Sequence, residues 1–261
     1  MINQEQIIEL YKEGKSAYEI LPLTPYAQVR SIYNLLKKHG VPIRSRAGNK
    51  NPNLVSNYFS VVDSEAKAYF LGLLYADGSI EVRKNSQTKI QLELNKNDGY
   101  IIELFKKELQ SDNVISTTRH DCLRFSVHSN KIAEDLSHYM IFPNKSHRHD
   151  ELRILDEPYM SHFIRGVFDG DGWVYERKYG LTFGICGTKE AMESLERYLR
   201  LTLNIPKVKV ASYENKVPFF THSSKESVKK IYDYLYSNAT IYLKRKKEVF
   251  DKAYANPEVT D

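Results

Sequence analysis

The strongest constraint on how this chain can fold is an internal repeat. Two apolar segments close on the same dipeptide, Tyr69-Phe-Leu-Gly-Leu-Leu-Tyr-Ala-Asp-Gly78 and Phe163-Ile-Arg-Gly-Val-Phe-Asp-Gly-Asp-Gly172, so that Asp77 and Asp171 hold equivalent places. The stretches downstream of the two segments also correspond. Strand-like alternation over Ile80/Val82 and then Ile90/Leu92/Leu94 is matched by Val174 and then Leu181/Phe183/Ile185. Helical spacing over Ile101, Leu104 and Phe105 is matched by Met192, Leu195 and Leu199. Two further strands, around Val114 and over Leu123/Phe125/Val127, correspond to Val208/Val210 and the neighbourhood of Phe219. A closing helix (Ile132, Leu136, Tyr139) corresponds to Val228, Ile231 and Leu235. The expected fold is α+β, a duplicated αββαββα unit with pseudo-two-fold symmetry, one copy over residues 61–160 and the other over 161–255, with 256–261 as a tail. A repeat of this length is too long for a solenoid and reads as two fused half-sites.

Residues 1–47 form a separate, all-α head. Ile7, Leu10 and Tyr11 make an apolar stripe that stops at Gly14, Ser16 is placed to cap a short second helix through Ile20, and Val29, Ile32 and Leu36 mark a third helix ending at Gly40. Helix, turn, short helix, turn and longer helix is the layout of a helix-turn-helix, and the stretch resembles such modules in phage DNA-binding proteins and recombinases. Arg30, Lys37 and Lys38 on the third helix are candidate DNA contacts. An arm carrying Arg44 and Arg46 is of the kind that enters a minor groove. The Asn-, Gly- and Pro-rich stretch after the arm is assigned as a linker over 48–60.

The alternation in the strands also separates a core face from a wet face. Opposite Ile90, Leu92 and Leu94 stand Lys89, Gln91, Glu93 and Asn95, and opposite Leu123, Phe125 and Val127 stand Arg124, Ser126 and His128. Long side chains that bond at every second position suit the reading of base edges in a major groove, although a merely solvated sheet face shows the same pattern. The candidate DNA contacts of the first copy are Arg83, Lys89, Gln91, Glu93, Arg124, Ser126 and His128. Those of the second copy are Tyr175, Arg177, Thr182, Lys207 and Lys209, on a face made less polar by Gly184 and Cys186. The balance of 38 Lys+Arg against 33 Asp+Glu, a formal charge of +5, favours a polyanion only weakly, and the 19 tyrosines suit a nucleic-acid surface and a plain core alike. Cys122 and Cys186 lack metal-ligand spacing and read as half-buried thiols in a reducing compartment. No apolar run resembles a signal peptide or a bilayer span, and the chain is expected to be soluble, cytoplasmic and free of membrane partners.

The chemistry rests on the two acids. Gly72 and Ala76 are spaced one helical turn apart, as are Gly166 and Gly170, so each apolar helix has a smooth face that lets a second backbone approach closely. If the two helices pair, Asp77 and Asp171 arrive together at the same end. A carboxylate at a helix C-terminus opposes the macrodipole by roughly 0.3–1 kcal/mol, and two carboxylates within ~4–6 Å repel. A divalent cation with oxygen ligands resolves both problems, and Mg²⁺ or Mn²⁺ fits. Metal held there would activate water against a phosphodiester and stabilise the leaving oxygen.

The two segments resemble the paired signature of the LAGLIDADG homing endonucleases, over roughly residues 61–255. The resemblance implies a saddle of two antiparallel sheets on double-stranded DNA, metal coordination by Asp77 and Asp171, cleavage of both strands with short 3′ overhangs, and a monomer with a long target site. It also implies basic residues near the centre. Lys145, in Pro143-Asn-Lys-Ser146, and Lys246, in Tyr242-Leu-Lys-Arg-Lys-Lys247, are the candidates, with phosphate positioning as the alternative for each. Tyr75 stands where the family name has its earlier Asp, which the second copy keeps as Asp169, and Arg165 replaces a small residue and is expected to face away from the helix pair. Asp169 is expected to be structural or solvated rather than part of the site. A calcium loop at Asp169-Gly-Asp171-Gly172 lacks its further ligands. The scattered histidines form no triad. Two other readings remain open: a non-cleaving regulator with a LAGLIDADG-like body, in which the helix-turn-helix would follow the body rather than precede it, and a maturase acting on intron RNA.

Overall fold

A computed structural model of the chain describes residues 2–13, 15–43, 51, 53–84, 86–118, 120–143, 152–153 and 155–255. Arg44, Arg46 and Lys145 lie outside the described residues. The chain divides into two compact units, Met1–Lys50 and Asn51–Asp261.

In the first unit, α1 (Gln4–Lys12), α2 (Ala17–Ile20) and α3 (Val29–Lys38) enclose their own small core of Ile7, Tyr11, Ile20, Ile32 and Leu36. Ser16 caps α2 as its position suggests: its hydroxyl accepts from the Glu19 amide, and the Glu19 carboxylate accepts from the Ser16 amide at 2.7 Å, a reciprocal capping box. With Ile32, Leu35 and Leu36 turned inward, Arg30, Lys37 and Lys38 are exposed.

The second unit is the duplicated body. The first copy runs α4 (Glu65–Asp77), β1 (Gly78–Glu81), β2 (Lys89–Asn95), α5 (Gly99–Glu108), β3 (Ser116–Thr117), β4 (Cys122–His128) and α6 (Asn130–His138). The second runs α7 (Tyr159–Asp171), β5 (Gly172–Arg177), β6 (Gly180–Cys186), α8 (Lys189–Leu203), β7 (Phe219–His222) and α9 (Lys225–Tyr236), and a further helix, α10 (Lys244–Ala255), comes after it. One antiparallel sheet has the order β1-β2-β4-β3 and the other β5-β6-β7. Both rest on a single hydrophobic core that includes residues of both copies. α4 is buried at every position from Ala68 to Leu74, as a helix apolar on all sides must be, and it runs through the middle of the body against α7. No helix among the described residues is long and apolar enough to cross a membrane.

Three expectations change. The alternation at Val208/Val210 does not make a strand: residues 205–210 are irregular, and only Ala211 bridges to Phe219, so the second sheet has three strands among the described residues. Alternation alone supplies no partner, and the edge available to this segment is the four-residue β7. In the first copy the strand near Val114 is Ser116–Thr117, with Val114 itself exposed. The assigned linker over 48–60 also reaches into the body. Tyr58 and Phe59 are buried, the Val55 amide donates to the Leu109 carbonyl at 3.1 Å, and the Tyr58 and Ser60 hydroxyls donate to Glu108 and Asp135 at 2.8 Å. Burial of two aromatic rings outweighs the loop-like composition upstream.

Arg165, expected to face away from the helix pair, lies instead in a buried polar knot that includes α4, its guanidinium 5.6 Å from the centre of the Tyr69 ring and paired with Glu65. It is 0% exposed. Its guanidinium donates to the Leu235 and Ile241 carbonyls at 2.7 and 2.8 Å and pairs with Glu65 at 2.6 Å. Glu65 in turn accepts from the Thr240 and Ile241 amides and the Thr240 hydroxyl, so that α4, α7 and the chain leading to α10 are tied at one point. Burial pushes the Glu65 carboxyl up, but these bonds and the Arg165 charge outweigh it and hold its titration below the ordinary carboxylate range. Breaking a buried pair by removing one partner leaves charge and carbonyls uncompensated, at about 3–5 kcal/mol. Arg165→Leu is therefore expected to lower the stability read from urea unfolding by that amount, with an unchanged slope. Because the folded-state pKa of Glu65 is depressed, its contribution is complete above the unfolded carboxylate pKa and fades as pH falls through the folded one, so the gap between wild type and variant should narrow in acid. An equal gap at pH 3 and pH 7 would contradict this assignment.

Candidate active site

The site is built by the crossing of α4 and α7. A Cβ added at Gly72 would lie 2.0 Å from the Phe163 carbonyl oxygen, and one at Gly166 would lie 2.1 Å from that of Tyr69. The two backbones therefore touch through a reciprocal pair of glycines, as the small-residue spacing predicts. One turn further on, a Cβ at Gly170 would lie 2.3 Å from the Ala76 Cβ and 3.0 Å from the Asp77 carboxylate oxygen Oδ2. The Asp77 carboxylate thus rests against the last turn of α7, and Asp171 is the next residue along. Each acid ends its helix, and Gly78 or Gly172 then turns the chain straight into a strand. A side chain there would strike the Leu74 carbonyl at 2.4 Å or the Phe168 carbonyl at 2.6 Å, which is why both acids are followed by glycine. Asp77 is exposed and Asp171 half-buried. Both charges act on the same two neighbours, the Lys246 ammonium and the Cys186 thiol.

Lys246 is almost completely buried at the start of α10. Its ammonium donates to the carbonyls of Phe168, Asp169 and Gly172 at 2.6, 2.8 and 2.5 Å and stands 4.9 Å from the centre of the Phe168 ring. These carbonyls lie at the α7 C-terminus and the turn into β5, where that of Phe168 also accepts from the Gly172 amide. All three ammonium donors are engaged with main-chain carbonyls of the turn that carries Asp171. Burial pulls its pKa down to about 8, against the opposing pull of Asp169, Asp77 and Asp171.

Asp169 is structural rather than solvated. It is 1% exposed and accepts from the Tyr69 hydroxyl and the Leu243 amide, each at 2.8 Å, and burial pushes its carboxyl up to about 6. It joins α7 to α4 and to the entry of α10. The equivalent Tyr75 packs at 6.2 Å from the Phe163 ring instead. Cys186 is a neighbour of the site that spacing did not single out: its Sγ lies 3.2 Å from the Asp171 carbonyl, and burial raises its pKa.

The outward face of the first sheet carries what the alternation predicts. Lys89 stands opposite His128, Gln91 opposite Ser126 and Glu93 opposite Arg124, all half-buried or exposed. The Arg124 Nε donates to Glu93 at 2.8 Å, and at the rim Arg83 grips Glu81 through two bonds of 2.9 and 2.8 Å. Burial, then the charges of Arg83 and Lys89, lower the His128 pKa. The second sheet departs from the prediction at Thr182, which is 3% exposed. Its hydroxyl lies 3.0 Å from that of Ser223, with Arg177 reaching over it at 3.4 Å. Thr182 is thus withdrawn from the surface, because the neighbouring strands' side chains close over β6. Tyr175, Arg177, Lys207 and Lys209 are exposed.

Comparison with known proteins places this arrangement among solved structures. No protein-family model matches the chain, and no curated protein matches it. The chain is similar to the meganuclease I-SmaMI bound to uncleaveable DNA with a TTCT central four, at 15% identity and a TM-score of 0.53 over 72% of this chain and 89% of that one. It is similar also to the LAGLIDADG meganuclease I-AabMI bound to uncleaved DNA, at 15% identity and 0.50 over 70% and 87%. A third likeness is to I-SmaMI bound to uncleaved DNA in the presence of calcium ions, at 14% identity and 0.50 over 73% and 89%.

Proposed function

We propose that this chain, which has the LAGLIDADG homing-endonuclease fold, is a site-specific endonuclease that hydrolyses phosphodiester bonds in both strands of duplex DNA. It works with a divalent cation, Mg²⁺ or Mn²⁺, as a monomer, and leaves short 3′ overhangs. The observation that carries the reading is the backbone contact between α4 and α7, which delivers Asp77 and Asp171 to one end of one helix pair. Two helices ending in acids, each stripped of side chains where they meet, form an arrangement that opposes both macrodipoles. A cation bound between them accounts for it.

The residues present fit such a cation. Asp77 and Asp171 would hold it, and Mg²⁺ characteristically takes one or two carboxylates and completes its shell with water and substrate phosphates. When bound, the cation supplies Lewis acidity and a lowered pKa for its water. The protein's part is placement. Lys246 and Asp169 hold the end of α7, Arg165 and Glu65 lock α7 to α4, and the first sheet offers Lys89, Gln91, Arg124, Ser126 and His128 to phosphates and base edges. The head, with Arg30, Lys37 and Lys38 exposed on α3, is a second DNA-binding module that raises affinity by tethering.

The test is incubation of the chain with a randomised duplex library and Mg²⁺, followed by recovery of cut and of bound molecules. Enrichment of one cut sequence is expected, and removal of residues 1–50 should weaken binding while leaving cutting in place. Enrichment of a bound sequence with no cut ends under Mg²⁺ or Mn²⁺ would show instead a regulator that kept the saddle without the chemistry.

A further inference from the structure

The outward faces of the two sheets differ in chemistry. On the first, every residue of the central pair β2 and β4 that points outward carries a hydrogen-bonding group or a thiol, from Lys89 and Gln91 to Arg124 and His128. On the second, the outward positions of β5 are Trp173, Tyr175 and Arg177, and Phe219 lies on the same face of β7. Trp173 stands opposite Gly184, and a Cβ on Gly184 would lie 2.4 Å from two atoms of the indole ring. The strand interior lacks a side chain there because the indole lies across it, an arrangement that fixes the ring without any conformational cost at binding. The Phe219 ring meets Trp173 edge-on at 5.8 Å, and Tyr213, 62% exposed, meets Phe219 at 6.4 Å. Lys216 stands 5.9 Å from the Tyr213 ring, Arg177 lies on the same face of β5, and Lys207 and Lys209 are exposed on the segment between α8 and Tyr213.

An aromatic floor with a basic rim fits a polyanion with apolar features rather than an apolar protein surface. In a duplex the base faces are stacked away, so a ring lying flat in the major groove can meet only edges. The one apolar group on those edges is the thymine methyl. We infer that the second sheet reads its half-site through thymine methyl groups packed on Trp173, Phe219 and Tyr213, whereas the first sheet reads its half-site through hydrogen bonds. The inference rests on the endonuclease reading above and specifies how its two half-sites are told apart. Because Trp173 comes directly after Asp171-Gly172, the thymines belong at the end of that half-site nearest the cut.

The test is binding by the full chain without divalent metal. Duplexes are selected from a randomised pool and then remade with deoxyuridine for thymidine in one half at a time. Uracil differs only in the missing methyl, and one buried methyl is worth ~0.8 kcal/mol, or about fourfold in affinity. A loss of about fourfold per contacted thymine is expected in one half and none in the other. Arg124→Ala should alter sequence preference only in the half that is indifferent to uracil. Trp173→Ala should make thymidine and deoxyuridine equivalent at the thymine nearest the cut. Should that variant not fold, the wild-type comparison decides by itself. Selected duplexes bound with equal affinity in both forms, in both halves, would overturn the inference and leave the endonuclease reading intact. Failure to select any duplex would overturn both.

Discussion

Asp77→Asn and Asp171→Asn should each bind the selected duplex at least as well as wild type and cut it about a thousandfold more slowly or worse. The carboxylates are the hard donors at the helix crossing, and an amide keeps their shape while removing the charge that holds a cation and the stabilisation it gives to a leaving oxygen. Binding is spared because the change removes negative charge from a surface that meets phosphates. The same substitutions should not weaken the fold. Each acid ends a helix, where a negative charge opposes the macrodipole by roughly 0.3–1 kcal/mol, so both variants should melt at or above the wild-type temperature. Inactivity joined to undiminished stability is what a strained functional site shows, and a packing defect does not. Cutting by both variants at near the wild-type rate would end the metal assignment.

How much could be read from sequence depends on the range of the interactions involved. The glycines at 72, 166 and 170 were legible because a helix converts spacing into a face, and the meeting of two such faces needs only that both be bare. The wet face of the first sheet was legible for the same reason at period two. The place of Arg165 was not legible, since Glu65 on α4 and the Leu235 and Ile241 carbonyls are brought to it by tertiary folding. Thr182 shows the limit of alternation, which assigns a face but does not say what lies over it. Lys246 does carry a local signal: Phe250 stands four residues on, so the two share a helix face, and both are buried. The tail of the supposed linker held another in the pair Tyr58-Phe59, which is too apolar to remain in water.

The helix crossing itself can be separated from the chemistry by substitution. Gly72→Ala and Gly166→Ala each drive a methyl to within about 2 Å of a backbone carbonyl, 2.0 Å from Phe163 and 2.1 Å from Tyr69. No rotamer change relieves a clash with main chain, so α4 and α7 must separate along their contact. The expected cost is at the upper end of overpacking, about 3 kcal/mol or more, with loss of cooperative melting. Gly170→Ala is different in kind, because its first obstacle is a side chain, the Ala76 Cβ at 2.3 Å. Alone it should destabilise the body and stop cutting. Combined with Ala76→Gly, which removes the opposing methyl, it should recover most of the stability, since one methyl is then exchanged for another across the interface. Activity should recover less, because the new methyl still lies 3.0 Å from the Asp77 carboxylate oxygen and displaces the donor. A double variant that melts like wild type yet cuts slowly would show that the small residues serve two ends at this crossing, letting the helices meet and leaving room for the acids where they finish. If Ala76→Gly rescues nothing, the two residues do not oppose one another, and the helix pair must be arranged otherwise.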